Sequence, residues 1–274
     1  MKHSPIGVFD SGYGGLTVFK ELVSLLPKYD YVYLGDNARA PYGPRSFDTV
    51  YKYTWQSIQW LFKNDCKLVI LACNTASAKA LRTIQQNDLA ALNTSDRVLG
   101  VIRPTTEVIG NFTKSGHVGI LGTTGTVQSG SYPIEIAKFF PAVHVSQEAC
   151  PMWVPLIENN EHEKEGADYF IDKHVHNLLE KDPDIDTVLL ACTHYPLLIN
   201  TIRKKLPEGI TVVSQGDIVA RSLKSYLEKH QDIERSISKN GQRVFFTTGD
   251  VDQFNLCAED FYGEEVKAGH VDLV

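Results

Sequence analysis

Long apolar runs are missing from this chain of 274 residues. No stretch approaches the roughly 18 to 20 consecutive apolar residues that a membrane-spanning helix needs. The opening Met1-Lys-His-Ser-Pro-Ile has no apolar core of a secretory leader. Basic runs are missing too. Lys and Arg number 27 against 33 Asp and Glu, a formal net charge of −6, which argues against nucleic acid as the main partner. The five cysteines form an odd set with no framework spacing and no Cys-x-x-Cys. That excludes a disulfide scaffold, weakens a thiol-redox or zinc reading, and points to a reduced, cytoplasmic setting. The Gly12 to Gly15 turn is neither a Walker sequence nor a complete dinucleotide fingerprint. What is present, 43% hydrophobic and 22% charged residues, is the composition of a soluble globular protein with the length for one large or two ordinary domains.

One pattern occurs twice. Leu68-Val-Ile-Leu-Ala-Cys73 runs into Asn74-Thr75-Ala-Ser77, and Val188-Leu-Leu-Ala-Cys192 runs into Thr193-His194-Tyr195-Pro196. Each is a short continuous apolar run that turns polar directly after Ala-Cys, as strands buried on both faces of a parallel sheet do. Helical periodicity resumes after each copy, so both thiols are expected at carboxyl ends of strands, where open α/β sheets place their ligand crevices. Two thiols presented alike suggest a matched pair facing one pocket, against the plainer reading of two buried structural cysteines.

Strand and helix signals alternate along the rest of the chain. Strands are expected at Pro5–Phe9, Tyr31–Leu34, Leu68–Ala72, Val98–Ile102, Val118–Leu121, weakly at Val143–Val145, then at the Cys192 run, Ile210–Val213 and Val244–Phe246. Helices are expected from Leu16, after Ser46 as N-cap, across Gly166–Leu179, Ile218–Leu227 and Phe254–Phe261. Asp88 to Asp96 reads as a linker. Alternation of this kind implies an α/β fold with mainly parallel sheets. The halves echo each other: a strand with a Gly-rich turn opens each (Asp10 to Gly15; Gly122 to Thr126), and an Ala-Cys strand follows later. Two similar α/β units with a site in the cleft between them are therefore expected.

Cys73-Asn74-Thr75, Cys192-Thr193-His194, Asp10-Ser11-Gly12 and Pro41-Tyr42-Gly43 together, in this order, resemble the motifs of the cofactor-independent glutamate racemases, a branch of the aspartate/glutamate racemase family. The resemblance implies a first domain from residues 1–97 plus 208–274 and a second from 98–207. It implies interconversion of L- and D-glutamate without a cofactor or metal, in the service of bacterial peptidoglycan, by a protein that is usually a homodimer. It makes Cys73 and Cys192 the two acid/base groups, Cys192 acting on L-glutamate and Cys73 on D-glutamate. Asp10 and His194 become their helpers, and Glu158 a further acid, with Glu161 close by as an alternative. Ser11, Tyr42, Gly43, Asn74, Thr75, Thr123, Thr126 and Thr193, with Asp10 and His194, become substrate contacts.

The chemistry fits such residues. Inverting a stereocentre by proton transfer needs one group on each face of a planar carbanion, one as base and the other as acid. The base must be a thiolate, whose unperturbed pKa is about 8.5, so the surroundings must favour ionisation. Asp10 is alternatively a turn or cap residue, and His194 a strand-end histidine bonded to backbone. Cys66, Cys150 and Cys257 read as structural. His174 and His176, two apart on a helix, point differently and are not a zinc pair. Arg103 is an unassigned charge near the junction of the halves. A thiol-redox or metal protein and a non-catalytic anion-binding module stay open as readings of the residues alone; the second leaves the paired cysteines unexplained.

Overall fold

The computed structural model describes residues 4–92 and 94–273. Residues 1–3, the start of the stretch read as lacking a leader, Asn93 in the expected linker, and Val274 lie outside the described residues. The strands are β1 (Ile6–Asp10), β2 (Tyr31–Gly35), β3 (Leu68–Leu71), β4 (Arg97–Gly100), β5 (His117–Gly122), β6 (His144–Ala149), β7 (Thr187–Ala191), β8 (Thr211–Val213), β9 (Arg243–Thr247) and β10 (Ala268–His270). They form two sheets, ordered β10-β9-β2-β1-β3-β4 and β6-β5-β7-β8, and every pairing within them is parallel. No helix among the described residues is long and apolar enough to cross a membrane.

The continuous apolar runs behave as parallel-sheet strands should. β1, β3 and β7 are buried at every residue, with helices closing both faces. Ser46 accepts from the Thr49 N–H at 3.2 Å and so starts the helix Phe47–Lys63, as its position before a helical period indicates. The stretch expected as a linker is mostly helical instead: Ile84–Asp88 and Leu89–Leu92 continue the turn. Ile84 is buried, Leu81 and Leu89 pack on the same apolar cluster, and the Tyr51 hydroxyl donates to the Asp88 carboxylate at 3.0 Å. Packing overrides a weak local period here. The chain leaves the first sheet after Gly100 and the second after Val213, a few residues beyond 97 and 207. β10, an Ala-Gly-His edge strand, carries no β-propensity and was not legible in the sequence.

The C-terminal segment completes the first sheet, β9 pairing with β2 and β10 with β9. An aromatic cluster fastens it. Phe19, fully buried, lies 5.5 Å from the rings of Tyr31, Tyr33, Phe245 and Tyr262, so one side chain joins its own helix, Leu16–Leu25, to β2, β9 and the last helix, Val251–Tyr262. The pairs with Tyr31, Tyr33 and Phe245 are edge-to-face, and such pairs add about 0.5–1.5 kcal/mol each beyond the area they bury. One apolar cluster also runs from Val8 and Phe19 through Leu190 and Tyr195 to Leu223, so the two sheets share part of their core. Phe19→Ala should lower the unfolding free energy by about 3–5 kcal/mol, the usual cost of emptying a buried Phe site. Urea denaturation measures it, and a loss under about 1 kcal/mol would show that the C-terminal segment is fastened elsewhere.

Candidate active site

In each sheet the chain reverses its direction of winding beside its first strand. β1 has β2 on one side and β3 on the other, and β5 likewise stands between β6 and β7. The crevice outside the carboxyl ends at such switch points is where open α/β sheets bind ligands. The residues singled out in the sequence stand at these ends: Asp10 closes β1 and Cys73 follows β3, while Thr123 follows β5 and Cys192 follows β7. Registers Phe9↔Leu71 and Gly122↔Ala191 place the members of each pair side by side. The echo between the halves is thus a repeated strand pairing.

The first-sheet turn presses on the second-sheet motif. A Cβ at Gly14 would stand 2.3 Å from His194 Nδ1 and 2.4 Å from Thr193 Oγ1, so only glycine permits this approach. Thr17 Oγ1 donates to the Thr193 carbonyl at 2.9 Å, and Thr193 Oγ1 donates to Asp10 Oδ1 at 3.4 Å. Asp10 has no solvent exposure and accepts from the Gly12 N–H at 2.9 Å. Burial pushes its carboxyl pKa up, while the His194 cation and the Gly12 and Gly15 amides pull it back.

The two thiols sit in opposite electrostatic settings. Cys73, almost fully buried, caps the helix Asn74–Lys79 by accepting from the Ala76 N–H at 3.4 Å, and its Sγ lies 3.4 Å from Ser11 Oγ. Burial pushes this thiol up to about 12; Asp10 adds to the rise, and the Ser11 and Ala76 hydrogen bonds oppose it. Cys192 Sγ stands 3.9 Å from His194 Nδ1, and His194 Nε2 stands 2.9 Å from Glu158 Oε1. Burial lowers the His194 pKa, but the bonds to Cys192 and Glu158 overcome it and raise it to about 10. The imidazole is further wedged edge-on against Phe261, at 5.3 Å. Burial and a nearby carboxyl therefore raise one sulfur's pKa, while an imidazole held by a carboxylate faces the other. Cys192 also raises the cost of ionising Cys73.

Around them the polar residues divide into two groups. Thr75 Oγ1 lies 2.9 Å from Thr123 Oγ1 and 3.5 Å from Thr126 Oγ1, a hydroxyl cluster joining the two halves. A Cβ at Gly43 would touch Thr123 at 3.2 Å, so the Tyr42-Gly43 loop borders the same cluster. The side chains of Asn74 and Tyr42, by contrast, are engaged in structure. Asn74 donates to Gln215 Oε1 at 2.7 Å and accepts from the Tyr132 hydroxyl at 2.6 Å, and Gln215 continues to Thr105 at 2.9 Å. The buried Tyr42 hydroxyl donates to Asp36, which also accepts from Arg39 and Thr248. Asp36, Tyr132 and Gln215 were missed in the sequence. Gln215 stands just past β8, as the cysteines stand past β3 and β7, and that offset was the available signal.

Of the two candidate acids, Glu158 meets His194, whereas Glu161 pairs with Lys164 at 2.8 Å on the surface. Arg103 pairs with Glu107 at 2.9 Å and lies over the Phe139 ring, in an exposed groove and not among the thiols. Cys66, Cys150 and Cys257 are buried and unbridged, with Cys66 pushed up to about 12 by burial. His174 turns inward to Glu148 and His176 outward to Glu180, so they do not form a pair.

Comparisons with known proteins show the family. Residues 6–223 match the family model described as Asp/Glu/Hydantoin racemase. A glutamate racemase of Streptococcus gordonii is 38% identical over 277 residues, covering all of both chains. Among solved structures, glutamate racemase isoform RacE1 of Bacillus anthracis superposes with a TM-score of 0.90 at 37% identity, over 100% of this chain and 99% of that one. Glutamate racemase of Francisella tularensis, solved in complex with D-glutamate, gives 0.87 at 30% identity over the same shares. Full-length identity at this level, with the fold and the paired-thiol site, is more than a shared architecture gives: the chain belongs to the Asp/Glu/hydantoin racemase family, as an amino-acid racemase of its glutamate racemase branch.

Proposed function

We propose that glutamate is racemised here by proton transfer between two thiols, with no cofactor. The observation that carries this reading is the pairing of Cys73 and Cys192 at equivalent strand ends in opposite electrostatic settings. A proton-abstracting group must be ionised while its partner holds a proton, and an imidazolium beside a sulfur favours the thiolate. The His194 cation stands on the Cys192 side, and burial with Asp10 retains the proton on Cys73. From L-glutamate, Cys192 takes the α-proton: the Cα–H bond breaks and an S–H bond forms. Cys73 then gives its proton to the opposite face of the carbanion, leaving the charges exchanged, and the reverse reaction begins from that state. The pair, not either sulfur, owns the titration.

The remaining residues follow from charge. The substrate carboxylates need donors, and the Ser11, Thr75, Thr123, Thr126 and Thr193 hydroxyls, with backbone N–H groups at Gly43 and at the start of the Asn74–Lys79 helix, supply them. Glu158 holds the imidazolium and Asp10 holds the turn beside Cys73. The relative from Francisella tularensis was solved with D-glutamate, and the same ligand is assigned to this cleft. The sheets further support a division into two α/β domains closing on it. The resemblance adds a cytoplasmic homodimer serving peptidoglycan synthesis.

Three outcomes test these assignments. Purified protein should interconvert L- and D-glutamate in a polarimeter without added pyridoxal phosphate; activity that disappears on dialysis together with a chromophore would replace the thiol reading by a Schiff-base one.

In heavy water, initial D-product from L-glutamate should carry deuterium at Cα while remaining L-substrate stays largely protiated. D-product that keeps substantial α-protium means a single base swings between faces. Cys73→Ser and Cys192→Ser should each reduce both directions by at least about 10²–10⁴-fold, the usual worth of a positioned acid or base.

The raised His194 pKa also predicts a sign for stability. A histidine near 6.5 unfolded and about 10 folded contributes stability that is fully present below about 6.5 and lost as pH rises through about 10. The stability deficit of His194→Asn in urea should therefore shrink between pH 6.5 and pH 10. A deficit that is constant or grows with pH would show that His194 is neutral in the folded protein.

A further inference from the structure

The amino-terminal edge of the second sheet holds a cluster that racemisation does not use. His117 opens β5 and His144 opens β6, and they are register partners in the parallel ladder; their rings lie 5.2 Å apart. Asp182 follows the helix Glu165–Lys181, and Asp184 follows it in the turn that leads to β7. The Asp182 carboxylate is nearly buried, with Oδ2 at 2.9 Å from His117 Nδ1 and 3.8 Å from His144 Nε2. It is held in place by the Asp184 N–H at 3.2 Å and by Ser146 Oγ at 3.3 Å. Ligand atoms of His117, Asp182 and Asp184 all lie within 4.8 Å of one another. Among the described residues the ion pairs of Asp182 are with imidazoles only, and neither Lys nor Arg neutralises it.

We propose that His117, His144, Asp182 and Asp184 form a site for one divalent transition-metal ion of the zinc class. A tetrahedral ion with bonds of about 2.0–2.2 Å sets its ligand atoms about 3.3–3.5 Å apart, and the separations of 2.9 and 3.8 Å around Asp182 bracket that span. Two neutral imidazoles and two carboxylates balance a charge of +2. Nitrogen with oxygen donors suits zinc, cobalt or nickel, whereas calcium and magnesium take oxygen alone. The Asp182 carboxylate already has donors orienting its oxygens, the support that metal ligands usually need. Asp184 and the His144 side chain are exposed, which leaves an entry path. The ion ties together the starts of β5 and β6 and the turn before β7, at the end of the sheet opposite Thr123 and Cys192.

The test uses untagged, full-length protein stripped with a chelator, titrated with Zn²⁺ by calorimetry and with Co²⁺ by absorbance. Cysteine thiols also take these ions, so the cobalt spectrum discriminates: nitrogen and oxygen ligation gives visible bands without the thiolate charge-transfer band. The expected result is saturable binding of one ion, retained in Cys73→Ser/Cys192→Ser and weakened about tenfold or more in His144→Ala, an exposed position that leaves the fold intact. His117→Ala/His144→Ala should lose it while keeping the circular dichroism of the wild type. The proposal is overturned by an apoprotein with no saturable Zn²⁺ uptake, by uptake unchanged in the double histidine variant, or by a cobalt signature that is thiolate alone.

Discussion

The close approach at Gly14 is the contact on which the site depends. Without a side chain there, the turn after β1 lies directly on Thr193 and His194, and elements from both sheets meet at one seam. That proximity carries Asp10 into full burial beside the His194 cation, and lets Thr17 and Thr193 bond across the seam. Burial is costly for each of these groups alone. It is sustained because charges and donors arrive from opposite sides: carboxylates from Asp10 and Glu158, a cation from His194, amides from Gly12 and Gly15.

The same low dielectric sets the chemistry. A thiol in water is half ionised near its ordinary pKa whatever its neighbours; in a desolvated pocket the neighbours decide. Cys73, with Asp10 near and hydroxyl and amide donors opposing, retains its proton, while the sulfur of Cys192 faces an imidazole held by Glu158. Two chemically identical residues thus stand in different surroundings. The C-terminal segment contributes at a distance: Phe261, on the helix fastened by the Phe19 cluster, packs against the His194 ring. Stability of the returning segment and orientation of the imidazole are thus coupled.

Polar networks at the seam fix the position of its elements. Asn74, Tyr132, Gln215 and Thr105 form a buried chain of hydrogen bonds, and Asp36 gathers Tyr42, Arg39 and Thr248. Such groups are satisfied only when all members are present, so they hold the ends of β3 and β8 and the Tyr42-Gly43 loop in register around the hydroxyl cluster.

By itself the sequence determined the parallel α/β character, the strands that carry the thiols, and the residues of four motifs. Those are local signals: an apolar run buried on both faces, a polar switch after Ala-Cys, a cap at Ser46. Tertiary structure alone decided the rest. It brought Glu158 to His194 and paired Glu161 with Lys164. It bonded the Asn74 side chain to Gln215 and Tyr132 and the Tyr42 hydroxyl to Asp36, made the expected linker helical, and recruited β10 as an edge strand. It also gathered His117, His144, Asp182 and Asp184 at one corner. Each of these outcomes depends on groups far apart in the chain meeting in space, and spacing along one sequence carries no record of such meetings until the sheets have paired.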